Sequence, residues 1–176
     1  MRRVTLYLGI SLDGFLADRQ GGVDWMTGEN PDVGDAGAYD RFVAGVDTVV
    51  MGWNTYRQIT GELSPDRWVY GGLTSYVITH RRLPPTGEIH FVDEDPRALV
   101  RRLRSQPGRD IWICGGADTA AQLIRKNAID RYVVSVIPVI LGEGIPLFSR
   151  GLPQQDLRLV SAAHSNGIAE LTYEPR

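Results

Sequence analysis

Short apolar runs alternate along this chain with stretches in which apolar residues recur every three or four positions. The runs Val4 to Ile10, Thr48 to Met51, Tyr76 to Thr79, Ile89 to Val92, Ile111 to Cys114 and Tyr132 to Ile140 are rich in β-branched and aromatic residues. Gly, Pro and charged residues bound them, so each is predicted to be a strand. Thr48-Val49-Val50-Met51 shows no period-two alternation, as expected of a strand covered on both faces in a parallel sheet. Between the strands, a polar loop with Gly21-Gly22 and Pro31 leads to Asp35, a candidate N-cap, and to a short helix with Tyr39, Phe42 and Val43 that Gly45 closes. Brief helix is predicted from Asn54. A further helix has Asp95 as cap, Pro96 at its first position and Leu99 and Leu103 inward. The next follows Gly115-Gly116, with Ala120, Leu123 and Ile124 on one face and Asn127 near its end. The tail offers strands at 157–163 and 168–173 joined by Asn166-Gly167, a strong hairpin signal. Strands alternating with helices, then a terminal hairpin, predict one α/β domain over 1–176 with three layers, a mostly parallel sheet and an antiparallel C-terminal edge.

Composition narrows the classes. With 176 residues, 43% of them hydrophobic, the chain buries roughly 70% of its unfolded surface and needs no disulfide or metal to fold. Cys114 is the only cysteine, and no His/Cys cluster has metal-ligand spacing. The formal charge of -2 supplies no basic field for nucleic acid. No apolar run approaches a membrane span, and Met1 to Ile10, interrupted by Gly9, is too short for a signal segment. A cytoplasmic protein acting on a small molecule is expected. Arg97, Arg101, Arg102 and Arg104 read as a solvated helix face in preference to a phosphate patch.

Ligands of open α/β sheets bind beyond the strand carboxyl ends. Three such places are polar or glycine-rich: Gly52-Trp53-Asn54-Thr55, Thr79-His80-Arg81-Arg82, and Gly115-Gly116-Ala117-Asp118-Thr119. Glycines admit an anion close to the backbone, and a helix start presents unpaired N–H groups. Each is equally a tight turn or a polar strand end, since neither G-x-G-x-x-G nor a Walker pattern occurs. Together they suit a dinucleotide.

The segments Ser11-Leu12-Asp13-Gly14-Phe15-Leu16-Ala17, Val50-Met51-Gly52-Trp53-Asn54-Thr55-Tyr56, Ile113-Cys114-Gly115-Gly116 and Pro138 to Phe148 (PVILGEGIPLF) resemble, in this order, dihydrofolate-reductase-like proteins. They are most similar to the group containing the reductase domain of riboflavin biosynthesis. The resemblance implies a dihydrofolate-reductase-like fold of about eight strands and an NADPH-dependent reductase, with NADH as the alternative cofactor. By this resemblance Gly52, Asn54 and Thr55 bind the cofactor pyrophosphate, and Thr79, His80 and Arg81 line its adenosine end. Gly115 and Gly116, a pair often joined by a cis peptide, lie beneath it, and Ala117, Asp118 and Thr119 open a helix toward phosphate. Ser11, Asp13, Asp24 and Trp25 are placed around nicotinamide and substrate, with Asp13 or a water as proton donor.

Two departures change the picture. Trp53 stands where dihydrofolate reductases carry arginine for the 2′-phosphate, so Arg81 or Arg82 would supply the guanidinium while Trp53 stacks on adenine. Ala36 or Gly37 stands where they hold the pterin with a carboxylate, which argues against folate. The leading expectation is hydride transfer to a small heterocyclic or carbonyl/imine compound, including the 5-amino-6-(5-phosphoribosylamino)uracil reductase type. A non-catalytic nucleotide-binding module is the alternative, and a purely structural dimer subunit ranks last. A homodimer is expected, because the long Tyr132 to Ile140 strand and the 157–163 and 168–173 hairpin would otherwise leave an apolar edge or face.

Overall fold

The computed structural model describes all residues except Pro31, Gly34, Asp35 and Ala36. The expected N-cap Asp35 lies outside the described residues, as does Ala36. The elements run β1 (Val4–Ser11), β2 (Phe15–Ala17), α1 (Ala38–Val43), β3 (Val46–Gly52) and α2 (Trp53–Gln58), which continues into one turn of π-helix (Ile59–Leu63). There follow β4 (Thr74–Ile78), β5 (Ile89–Val92), α3 (Pro96–Arg104), β6 (Asp110–Gly115), α4 (Ala117–Arg125), β7 (Arg131–Ile137), β8 (Ile145–Pro146), β9 (Leu157–Ser165) and β10 (Ile168–Pro175).

Eight strands form one sheet in the order β5-β4-β3-β6-β1-β7-β10-β9. The first six are mutually parallel, and β10 and β9 are antiparallel. This is the dihydrofolate-reductase-like, mostly parallel architecture expected. Alternate β1 residues Val4, Leu6, Leu8 and Ile10 pack with Leu99, Val100 and Leu103 of α3 and Leu123 and Ile124 of α4. On the opposite face Val49, Met51, Val77 and Trp112 meet Phe42 of α1, Tyr56 of α2 and the rings of Trp68 and Tyr70. Both faces of the central strands are therefore apolar, which explains why β3 shows no alternation.

Local signals hold well where they are self-contained. The Asp95 carboxylate accepts from the Ala98 N–H at 3.0 Å, and Pro96 occupies the first turn of α3. Asn166 (φ 52) and Gly167 (φ 75) both take the left-handed conformation a two-residue hairpin requires. The arginine face is solvated: Arg97 and Arg101 are exposed, Arg102 pairs with Glu94 at 2.8 Å, and Arg104 pairs with Asp130.

Three expectations change. The seventh strand ends at Ile137 instead of Ile140, because Pro138 offers no N–H and Val139 turns back to the Ile137 carbonyl at 2.7 Å. The pair β2–β8 was not anticipated; it joins Phe15 to Pro146 and Ala17 to Ile145. The terminal strands also reach further, to Ser165 and Pro175. Among the described residues no helix is long and apolar enough to cross a membrane.

Candidate active site

The parallel register brings the strand ends to one edge. Gly52 of β3 lies beside Ile78 of β4, Met51 beside Gly115 of β6, and Ser11 of β1 beside Ile137 of β7. At the centre of this edge Gly52, Thr55, Gly115, Gly116 and Thr119 converge. A Cβ added to Gly52 would stand 3.0 Å from Thr119 Oγ1, and one added to Gly116 would stand 3.2 Å from Thr55 Oγ1. The two hydroxyls thus face bare backbone across a cradle that any side chain would fill. The Gly115–Gly116 peptide is cis, and Gly115 has φ 134, a conformation few residues other than glycine adopt. Gly116 is the N-cap of α4 without a side-chain cap, so the first-turn N–H groups of Ala117, Asp118 and Thr119 open toward the cradle. Asp118 itself is exposed and accepts from Gln122 Nε2 at 2.8 Å.

Next to the cradle, beyond β4, lies an aromatic and cationic patch. Trp53 packs on Tyr56 and Phe91, with ring centroids 5.5 and 6.4 Å away, and the Arg81 guanidinium lies 4.8 Å above its ring. Arg81 is exposed and forms no ion pair among the described residues, leaving its donors to solvent. Thr79 is buried and its Oγ1 accepts from the Arg81 N–H at 3.1 Å, fixing the turn. His80 is exposed and bonds through Nδ1 to Asp93 at 2.6 Å. Asn54 is exposed on the first turn of α2.

Beyond β1 the expected substrate residues have structural duties. Ser11 is fully buried; its hydroxyl donates to Asp13 Oδ1 at 2.6 Å and accepts from the Phe15 N–H at 2.9 Å. Asp13 also accepts from Leu141 N at 3.1 Å and Gly142 N at 2.7 Å. The Ser11 hydroxyl, aided by these two N–H groups, holds the Asp13 carboxyl below its ordinary value. At neutral pH it therefore carries no proton to give. Geometry makes Asp13 the tie between the β1–β2 turn and the loop after β7.

Asp24 is exposed and Trp25 half-buried in a loop that Asp18 organises by accepting from Gln20 N and Gly22 N, both at 2.8 Å. The Trp25 indole N–H donates to the Gly22 carbonyl at 3.1 Å, which pins the ring to its own loop. Two side chains outside the expected site anchor that loop: Gln58 Nε2 donates to Gly21 O at 2.7 Å, and Asn166, expected only to turn the hairpin, bonds to Asn30. Cys114, just ahead of the glycine pair, lies 3.1 Å from the Tyr70 hydroxyl, and burial pushes its thiol up to about 11. A thiol so placed is not a nucleophile at neutral pH. Among the described residues no His/Cys/Asp/Glu group is arranged to hold a metal ion.

A glycine–threonine cradle at a nine-residue helix start beside a cation-bearing indole fits an elongated ligand with a central diphosphate and a flat base at one end. That is the chemistry of a dinucleotide.

Comparison with known proteins agrees with the fold. The family model of the RibD C-terminal domain matches residues 2–169. The uncharacterized protein YwjB of Bacillus subtilis (strain 168) is 37% identical over 173 residues, spanning 98% of this chain and 97% of that one. Among solved structures, a Shewanella sp. PV-4 protein provisionally assigned to riboflavin biosynthesis superposes with TM-score 0.84 at 25% identity, covering 99% of both chains. A Thermotoga maritima diaminohydroxyphosphoribosylaminopyrimidine deaminase/5-amino-6-(5-phosphoribosylamino)uracil reductase shares the fold at TM-score 0.71 and 15% identity. The match covers 99% of this chain and 57% of that one.

Proposed function

Because the chain belongs to the family of RibD C-terminal domains, we propose that it is an NADPH-dependent reductase acting on a small heterocyclic or carbonyl/imine compound. The observation that carries this reading is the cradle in which Gly52 and Gly116 leave room before the Thr119 and Thr55 hydroxyls at the start of α4. Thr55, Thr119 and the first N–H groups of α4 would hold the diphosphate, and Trp53 and Arg81 the adenosine end. The Arg81 guanidinium, unpaired among the described residues, matches a phosphate monoester and favours NADPH over NADH. When bound, the nicotinamide supplies the hydride.

The protein positions and shields. Asp13, ionised, fixes the Leu141–Gly142 turn beside the β1 end, while the loop bearing Asp24 and Trp25 approaches β1 through Met26, whose sulfur would lie 3.6 Å from a Cβ on Gly9. Of the two donors expected from sequence, Asp13 or a water, the accompanying proton then comes from water. The substrate type named for the Thermotoga relative, a 5-amino-6-(5-phosphoribosylamino)uracil, is the first compound to try, and complementation of a riboflavin-requiring strain lacking that reductase tests it. We also read the chain as a homodimer. Strand β9 leaves Leu159 and Val160 about half exposed beside a groove of about 360 Å³ across β1, β7 and β10, and a monomer in light scattering at micromolar concentration would refute the pairing.

Titration of NADPH and NADH fluorescence with purified protein tests the central reading; saturable binding supports it, and none at millimolar concentration overturns it. A non-catalytic nucleotide-binding module is favoured by one observation, that Ser11 and Asp13 spend their hydrogen bonds on each other and on backbone. Cofactor binding without oxidation across a broad carbonyl, imine and pyrimidine panel would select it.

A further inference from the structure

The Asn166-Gly167 turn does more than reverse the chain. Hairpin tips usually meet water, but this one is interlocked with the segment from Asp18 to Asn30. The Asn166 side chain accepts from Asn30 N–H at 2.9 Å, donates to Asn30 O at 2.9 Å, and donates to Val33 O at 3.0 Å. Its backbone carbonyl accepts from Glu29 N–H at 3.0 Å. The amide has two N–H donors, and both are used. The paired bonds to Asn30 copy the exchange two peptide groups make across antiparallel strands. Packing is correspondingly close: a Cβ on Gly28 would fall 2.2 Å from Asn166 Nδ2, and one on Gly167 2.4 Å from the Glu29 side chain.

The loop has two other anchors, Gln58 on Gly21 at 2.7 Å and Met26, whose sulfur would lie 3.6 Å from a Cβ on Gly9 of β1. Asp24 and Trp25 lie between the anchored ends. We propose that Asn166 is a positioning residue: the β9–β10 tip latches the loop and holds Asp24 and Trp25 over the β1 end. That these two residues face substrate rests on the reductase reading; the latch itself does not.

Asn166→Gly separates latch from turn, since glycine keeps the left-handed backbone and loses all three side-chain bonds. Asn166→Asp keeps one acceptor and removes both donors. Hydrogen exchange of the full-length protein is read by peptide, with acrylamide quenching of Trp25 taken as the difference from a Trp25→Phe background. We expect Asn166→Gly to speed exchange of the 18–30 amides at least tenfold and to raise quenching, Asn166→Asp to fall between, and β9 and β10 amides to stay protected. Unchanged exchange in 18–30 overturns the proposal. An equal rise in the loop and in both strands also overturns it, because the turn is then merely structural. Neither readout requires cofactor, so a failed NADPH titration of the wild type would refute the reductase reading and leave the latch standing.

Discussion

Replacing Gly116 by alanine tests whether the cradle is a binding surface or a tight turn. The backbone there has φ -79 and ψ -164, an extended conformation that alanine adopts freely. The new methyl would meet Thr55 Oγ1 at 3.2 Å, a few tenths of an ångström inside ordinary contact, and a small rotation of Thr55 relieves it. Such mild overpacking costs about 1 kcal/mol, and the reduced freedom of the unfolded chain returns roughly 0.4–1 kcal/mol. For a chain of this size 1 kcal/mol moves Tm by about 2–4 °C, so the variant should melt within a few degrees of wild type.

Binding should respond differently. The methyl occupies the gap between Thr55 and the start of α4, where a diphosphate oxygen must come within hydrogen-bond distance of the backbone. We expect the Kd for NADPH to rise more than tenfold, about 1.4 kcal/mol or above. Gly115→Ala is the contrast. At φ 134 alanine is strained by roughly 1–3 kcal/mol, so Tm falls clearly whatever happens to the ligand. The assay is Tm by calorimetry and Kd by cofactor fluorescence on the same preparations. Unchanged affinity in Gly116→Ala together with a lowered Tm would refute the reasoning.

Removing the Arg81 guanidinium from above Trp53 should lower the preference for NADPH over NADH at least tenfold by weakening NADPH alone, measured as the ratio of the two Kd values. A thiol at about 11 is roughly 10²-fold poorer in thiolate than a free cysteine at pH 8, so iodoacetamide should label Cys114 about 10²-fold more slowly in the native than in the unfolded protein, followed by mass spectrometry. Asp13, Asp47 and Glu174 have folded pKa values below their ordinary ones: the Ser11 hydroxyl lowers Asp13, the Arg131 guanidinium lowers Glu174, and for Asp47 burial is outweighed by bonds from Arg109 N–H, Thr48 and Arg2. The unfolded chain then takes up protons first as pH falls, so Tm should be flat above about pH 5 and drop below about pH 4, less steeply in Asp47→Asn.

What could be read in advance was what depends on neighbours in sequence. Asp95 and Pro96 announce α3 because cap and first turn are adjacent residues. Asn166-Gly167 announces a hairpin because both residues adopt positive φ. The glycine-rich strand ends were legible for a related reason, since a parallel sheet gathers all its carboxyl ends at one edge. Tertiary pairing was not legible. Phe15 and Pro146 form a bridge between segments too short to show a period. Pro138, by contrast, is a local stop signal for β7, outweighed in the sequence reading by the apolar run that continues past it. The bonding of the expected site groups was hidden because it too is tertiary: Ser11 and Asp13 can be read as pocket groups from sequence, but that Leu141 and Gly142 donate to the Asp13 carboxylate depends on segments far apart in the chain. Asn166 looks like a turn until Asn30 comes to meet it.

The electrostatics also assign labour between protein and ligand. Helices α1 and α2 span six residues each, too few to cover the second face of the sheet, and rings do so instead. Tyr70 meets Trp112 at 4.9 Å and Trp68 at 5.3 Å, Tyr56 meets Trp68 at 5.7 Å, and Trp53 meets Tyr56 at 5.5 Å. This wall desolvates what lies in it, so burial raises Tyr39, Tyr70 and Cys114. Asp13 moves the other way under its three donors. Each of these groups is displaced from neutrality, whereas a general acid or base works best with a pKa near the working pH. None of the four is suited to exchange a proton with a bound compound at pH 7. On the proposed reductase reading the chain's contribution is then geometric, a backbone cradle on one side and a thrice-anchored loop on the other, which is the division of work expected where a bound cofactor carries the reaction.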